Sequence, residues 1–147
     1  LADESGKFRP EEWARRAISL YDTFSADCIV AEVNQGGDMV EALIKAEARG
    51  RTIPVRKVTA TRAKHVRAEP VAALYEQGKV RHVQEFPTLE DQMCAFTVDF
   101  DRKAQGYSPD RVDALVWAMT ELFPGMTERA PDPARYVIPK RGRGWMR

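Results

Sequence analysis

Three acidic residues occupy positions in the sequence that could support metal chemistry. Glu32 lies near the end of a short apolar stretch, Asp27–Val33, where a buried carboxylate is costly unless a cation compensates its charge. Asp110 and Asp113 begin a helical pattern that Ser108–Pro109 introduces. Carboxylate oxygens are the ligands that Mg²⁺ prefers, and two such ions about 4 Å apart can promote phosphodiester cleavage. Such a site usually needs at least three carboxylates, so the pattern alone is a weak signal.

The last helical pattern distinguishes the two aspartates. At about 100° per residue, its apolar residues share one face; Asp113 lies at the edge of that face and Asp110 lies nearly opposite. We therefore predict that Asp113 looks into a cleft beside the sheet. Asp110 has a second interpretation, as a first-turn acid that the helix dipole favours. Glu32 has one too, as an exposed residue of an edge strand or as the partner of an arginine. The apolar face consists of Val112, Leu115, Val116, Met119, Leu122 and Phe123.

A basic stretch could contact nucleic acid. No acid occurs between Glu47 and Glu69. Lys64 and Arg67 lie one helical turn apart and, with Arg62, could contact one phosphate backbone. A solvated basic face without a ligand is the alternative interpretation. The formal net charge is +1, so a DNA-binding surface must come from local clustering of charge.

The elements that position these residues alternate between helices and strands. This order predicts an α/β layer structure with parallel strands. Helices are expected from Pro10 to Phe24 and at 38–49, 61–77, 87–95 and 108–123, with strands at 27–33 and 53–58. We also expect Pro70 to kink or split the third helix, a short edge strand at 80–83, and the end of a strand running into a turn at 1–6.

Other patterns are missing, and this excludes several function classes. The sequence has no P-loop and no dinucleotide-binding glycine pattern. Cys28 and Cys94 lack metal-type spacing, and we expect both to be reduced and buried. No apolar run approaches the ~18 residues of a membrane span, and no signal peptide opens the chain. These features predict a cytoplasmic protein without membrane contact.

Four blocks of sequence occur in a recognisable order. They are Ala31–Val40, Arg67–Val80, Leu89–Met93 and Ser108–Ala118. Together they resemble the C-terminal nuclease domain of terminase large subunits from tailed phages and related gene transfer agents. The resemblance extends over residues 1–123, and the Pro-, Gly- and Arg-rich remainder, 124–147, is expected to be a tail.

The resemblance implies an RNase H-like fold, with a mixed sheet flanked by helices. It implies an endonuclease that cuts concatemeric double-stranded DNA during genome packaging in the host cell cytoplasm. It implies Mg²⁺ or Mn²⁺ in a two-metal site, with Glu32 and Asp113 as metal ligands, Asp110 as a nearby catalytic residue, and Lys64 near the DNA path. The terminase small subunit and the portal would be partners of the full-length protein.

One feature of the family is not matched. Its first strand carries an aspartate in a Val-Asp-Pro-like context, and Asp3 does not replace it, because Asp3 follows the strands that should precede the first helix. We therefore expect the N-terminal strands to be missing from this chain. That predicts an incomplete metal site, an exposed sheet edge, and weak or no nuclease activity in this chain alone.

Two alternatives stay open. The same fold could serve as a non-catalytic module that binds DNA or docks on a portal, and a third acid on the missing strand would distinguish the enzyme from it. A RuvC-like resolvase shares the paired aspartates of the last helix. The blocks Asn34–Gly37 and Glu69–Pro70 argue against the resolvase.

Overall fold

Helices alternate with two short strands in the computed structural model, which describes residues 2–33 and 37–127. Strand β1 pairs with β2 in parallel, with Ile29 opposite Val55 and Glu32 opposite Val58. The predicted α/β class with parallel strands is confirmed at this level. The elements are α1 (Pro10–Thr23), β1 (Ile29–Glu32), α2 (Gly37–Glu47), β2 (Val55–Val58), α3 (Lys64–Glu76), α4 (Pro87–Ala95), α5 (Arg102–Gln105), α6 (Asp110–Leu122) and α7 (Pro124–Thr127).

The first buried cluster joins α1, α2 and the strands. Helix α1 begins at Pro10, where a missing N–H costs nothing, and the backbone N–H of Arg9 donates to the Glu12 carboxylate at 3.1 Å. Apolar residues of α1 and α2 then recur at helical spacing and face one another. The cluster consists of Ala14, Ile18, Ile44 and Ala48, with Ile29 and Val55 of the strands packed against it.

A second buried cluster joins α3, α4 and α6. Its buried members are Val71, Leu89, Val112 and Val116. Among the described residues, the two clusters have no buried member in common. Polar contacts connect the two halves instead: Arg111 Nε of α6 lies 2.9 Å from the carboxylate of Asp3, and Arg56 of β2 pairs with Glu121 of α6 at 2.7 Å. The candidate site lies along this junction.

Two predicted strands are absent from the described residues, and one predicted helix is not split. Helix α3 is continuous through Pro70, and the buried side chain of Val71 packs the following turn on the second cluster. Residues 80–83 form no strand, since no neighbouring strand pairs with them, and Val83 is exposed. Residues 2–6 form no strand either: the Ser5 backbone N–H donates to the Asp3 carboxylate at 3.0 Å, which is a turn contact.

The remaining predictions concern the cysteines, the turn after β1, the C-terminal tail and membrane-spanning helices. Both cysteines are free, but Cys28 is half-buried and Cys94 is exposed on α4, so the predicted burial of Cys94 is wrong. The predicted turn residues 34–36 lie outside the described residues. The predicted tail starts with α7, and its remainder, 128–147, also lies outside them. No helix in the described ranges has the length and apolar character needed to cross a membrane.

Candidate functional site

Glu32 and Asp113 converge on the side chain of Arg67. Glu32 is the last residue of β1, Asp113 lies in the first turn of α6, and Arg67 lies near the start of α3. Nη2 of Arg67 is 2.5 Å from Oδ1 of Asp113 and 4.0 Å from Oε2 of Glu32. The Arg67 and Asp113 side chains are 9% and 7% exposed. The helix and strand ends thus place two carboxylates around one buried cation.

Arg67 has contacts on most of its guanidinium group. Nη1 donates to the backbone carbonyl of Arg62 at 2.5 Å, and the guanidinium lies over the ring of Trp117 at 4.9 Å from the centroid. Nε is buried and has no hydrogen-bond partner among the described residues. Buried donors are nearly always paired in folded proteins, so this atom marks an incompletely satisfied part of the cluster.

Trp117 orients Glu32. Its indole Nε1–H donates to Oε2 of Glu32 at 2.8 Å. Trp117 follows Asp113 by four positions on α6, so both side chains lie on the same face of the helix. Trp117 is not among the predicted site residues; its spacing of four residues from Asp113 is the signal that could have indicated it.

Lys64 connects the two aspartates of α6. Its Nζ lies 2.9 Å from Oδ1 of Asp110 and 3.2 Å from Oδ2 of Asp113. The Ser108 hydroxyl also donates to Asp110, at 2.6 Å. The Asp110 side chain is 75% exposed, against 7% for Asp113. Asp113 is therefore the inward aspartate, as the helical pattern predicts, and Asp110 lies at the rim.

The pKa values of the rim residues reflect their pairing. Partial burial acts to raise the pKa of Asp110, but hydrogen bonds from Lys64 and Ser108 outweigh it and leave this pKa below its ordinary value. Partial burial acts to lower the pKa of Lys64, and its hydrogen bonds to Asp110 and Asp113 outweigh it, so this pKa lies above its ordinary value. Both pairings favour the charged forms at neutral pH.

An open cleft of about 700 Å³ exposes this cluster to solvent, and its lining includes Glu32, Asp110, Asp113, Lys64 and Arg102. Arg102, at the start of α5, is a basic residue that the sequence analysis missed. It acts to lower the pKa of Asp110 through its charge. The lining therefore combines carboxylates, which suit a cation, with basic residues, which suit a phosphate group.

The donor set fits a hard divalent cation in its chemistry. Glu32 and Asp113 offer carboxylate oxygens, and they already converge on one positive group. The described residues contain no group of three His, Cys, Asp or Glu side chains arranged to hold a metal ion. Glu32 and Asp113 could hold such a cation as part of a ligand set.

The residues predicted to bind DNA occupy different environments. Arg62 is exposed and Lys64 lies at the rim of the cleft. Arg67 is buried against Asp113, so a direct phosphate contact would require its guanidinium to leave that carboxylate. Asp3, which the sequence analysis rejected as a metal ligand, is paired with Arg111.

Comparison with known families gives one match. Residues 5–122 match the family described as the terminase RNase H-like domain. The chain belongs to this family. The match includes both buried clusters and all six predicted site residues. A search of curated proteins found no match, and neither did a search of solved structures.

Membership of the terminase RNase H-like family confirms the resemblance of the four sequence blocks. It identifies the chain as a terminase module of nuclease type. The two parallel strands agree with an α/β domain of this family, while the mixed sheet stays a prediction.

Proposed function

We propose that this chain is the metal-dependent endonuclease domain of a terminase large subunit. In this proposal it cuts concatemeric double-stranded DNA during packaging of a viral or gene transfer agent genome. The observation that carries it is that Glu32 and Asp113 both line an open cleft and converge on one buried cation, the Arg67 guanidinium. The family supplies the class of module, and the cleft supplies residues suited to the reaction.

Glu32 and Asp113 would hold Mg²⁺ or Mn²⁺, and Asp110 would assist from the rim. A bound divalent cation supplies Lewis acidity and lowers the pKa of a coordinated water. The protein's own contribution is orientation. The Trp117 indole fixes one oxygen of Glu32, and the first turn of α6 fixes Asp113 beside it. Rigid placement of this kind lets carboxylates act without reorganising.

Basic residues beside the carboxylates would bind the DNA backbone. Lys64 and Arg102 line the cleft, and Arg62, two residues before Lys64 in the basic stretch, is exposed. Each phosphate neutralised by lysine or arginine releases counterions, so binding should weaken as salt increases. These contacts position the DNA without reading its sequence.

A two-metal site needs further ligands beyond Glu32 and Asp113. The part of the chain that the structure describes brings no third acid into such a group. We therefore propose that additional carboxylates come from other residues of the full-length terminase subunit. In that protein, the small subunit and the portal would be partners, in the host cytoplasm.

The test is plasmid cleavage in Mg²⁺ or Mn²⁺, with this chain and with the full-length subunit that contains it. We expect EDTA-sensitive cutting by the full-length protein and weak or no cutting by the chain alone. Asp113→Asn should abolish cutting. Asp22→Asn is the matched control, because Asp22 forms a surface ion pair with Arg51. The proposal would be refuted if the unsubstituted full-length protein still cut DNA in EDTA and the Asp113→Asn variant still cut DNA in Mg²⁺ or Mn²⁺.

The pairing of the acids also favours a second candidate function. Asp113 and Asp110 are already neutralised by Arg67 and Lys64, which suits a module that grips DNA without cutting it. A gel-shift assay, combined with the cleavage assay, distinguishes the nuclease from the non-cutting DNA-binding module. Salt-sensitive DNA binding by the full-length protein, with no cleavage in either metal, would favour the binding module over the nuclease.

A further inference from the structure

Both oxygens of Asp113 are occupied by basic side chains. Arg67 Nη2 lies 2.5 Å from Oδ1, and Lys64 Nζ lies 3.2 Å from Oδ2. Of these two cations, Arg67 is the buried one and Lys64 is 35% exposed. Any other cation that takes Asp113 as a ligand must therefore compete with at least one of them for the charge of this carboxylate.

Arg67 contacts both candidate ligands, whereas Lys64 contacts Asp113, Asp110 and the Ser108 hydroxyl. The Arg67 guanidinium lies 4.0 Å from Oε2 of Glu32 and stacks on Trp117, whose indole holds the same Glu32 oxygen. Its buried Nε lacks a hydrogen-bond partner among the described residues. The two carboxylates therefore hold the Arg67 guanidinium in place, even though one of its own N–H groups makes no hydrogen bond to the part of the chain that the structure describes.

We propose that Arg67 is a positioning residue that competes with the divalent cation for Glu32 and Asp113. This inference rests on the proposed function. Arg67 keeps the two carboxylates close together, because their like charges would otherwise repel one another in a buried site. A divalent cation that bridges Asp113 and Glu32 would take the position that the guanidinium holds between them. Arg67 therefore lowers the affinity of the site for metal while it maintains the geometry.

The test measures Mn²⁺ binding by calorimetry and by electron paramagnetic resonance, on the full chain. Replacing the guanidinium with a neutral amide, Arg67→Gln, removes the competing charge and should tighten Mn²⁺ binding about tenfold or more, given the strength of a buried charge contact. Arg51→Gln is the matched control: it removes the same charge from an exposed ion pair with Asp22, and its affinity for Mn²⁺ should equal that of the wild type. Asp113→Asn should abolish the binding that Arg67→Gln strengthens.

The melting temperature provides a second readout besides the affinity for Mn²⁺. In EDTA, Arg67→Gln should melt at a lower temperature than the wild type, because its carboxylates lose their counter-charge. Mn²⁺ should then raise the melting temperature of Arg67→Gln more than that of the wild type, since binding to the native state stabilises it. A purely structural role of Arg67 predicts the opposite for metal binding, because a disordered site would bind Mn²⁺ more weakly.

The outcomes separate this inference from the proposed function. Unchanged, weaker or absent Mn²⁺ binding in Arg67→Gln overturns the inference, while the cutting assay of the full-length protein decides the nuclease independently. If Arg67→Gln does not fold, Arg67→Lys replaces it. A lysine keeps the charge but lacks the planar guanidinium whose Nη2 lies near both carboxylates while Nη1 donates to the Arg62 carbonyl, so Mn²⁺ binding should be tighter than in the wild type by a smaller factor. No tightening in Arg67→Lys then overturns the inference.

Discussion

Arg67 of α3 and Asp113 of α6 form a buried ion pair, with 2.5 Å between Nη2 and Oδ1. Burying two charges is expensive, and their attraction offsets that cost only when the remaining polar atoms are also satisfied. Breaking such a pair is far more costly than its net contribution suggests, because one charge then stays buried without a partner. The stability of the domain should therefore respond very differently to the two aspartates of α6.

We expect Asp113→Ala to reduce the free energy of unfolding by about 3–5 kcal/mol, the usual cost of leaving a buried charge unpaired. Asp110→Ala is the matched control, since it removes the other acid that contacts Lys64. The Asp110 side chain is 75% exposed, so its loss should cost about 1 kcal/mol or less. Urea denaturation of the two variants measures both values. Equal losses would show that the difference in burial has no energetic consequence.

The hydrogen bond from Trp117 to Glu32 should be measurable by a double-mutant cycle. Trp117→Phe keeps an aromatic ring beneath Arg67 but removes the donor at 2.8 Å. Combined with Glu32→Ala, it should show a coupling energy of about 1–3 kcal/mol, as expected for a hydrogen bond to a charged group. Trp13→Phe, which changes an aromatic residue packed against the first cluster, should show no coupling with Glu32. Similar coupling for both tryptophans would contradict the assignment.

The two buried clusters should contribute independently to stability. Ile44→Ala in the first cluster and Leu89→Ala in the second should each cost about 2–5 kcal/mol. The double variant should cost their sum to within about 0.5 kcal/mol, because distant sites without shared partners are additive. Leu89→Ala combined with Val116→Ala, within one cluster, should deviate more from additivity. Strong coupling between Ile44 and Leu89 would indicate one continuous core.

Acid should selectively weaken the contact between His82 and Glu90. The hydrogen bond from His82 at 2.8 Å, and another from the Phe86 backbone, hold the pKa of Glu90 below its ordinary value. A lowered pKa in the folded state stabilises the protein above the unfolded pKa of about 4.3. That contribution is lost as the pH falls through the folded pKa. Wild type should therefore be more stable than Glu90→Gln near neutral pH, and the difference should shrink as the pH falls below the unfolded pKa and vanish below the folded pKa.

Urea denaturation of both proteins at several pH values measures this difference. Glu76→Gln, on the exposed end of α3, controls for the loss of one negative charge. A difference between wild type and Glu90→Gln that grows as the pH falls would contradict the predicted sign.

Much of the architecture follows from local patterns in the sequence. The predicted helix at Pro87–Ala95 has the observed bounds, and the alternating order of elements indicates the parallel strands. The helical spacing also places Asp113 inward and Asp110 outward, because one apolar face fixes the orientation of α6. These features depend on neighbours within a few residues, which the sequence shows directly.

The role of Arg67 could not be predicted in this way. Basic residues are mostly exposed, so the spacing of Lys64 and Arg67 suggested a phosphate-binding face. The burial of Arg67 depends on three elements distant in sequence, namely β1, α3 and α6. The wrong prediction of a strand at 80–83 has a similar cause. Alternating residues there suit a strand, but a strand needs a paired neighbour, and His82 instead bonds to Tyr75 and Glu90 through its side chain.

Glu32 and Asp113 lie on different halves of the domain, and this arrangement has a mechanical consequence. Glu32 belongs to the half built on the strands, whereas Arg67 and Asp113 belong to the half built on α3 and α6. A ligand that binds both carboxylates therefore connects the two halves of the domain. By linkage, its binding free energy also opposes the separation of these halves. Hydrogen exchange on β1 and α6 should slow together when such a ligand binds.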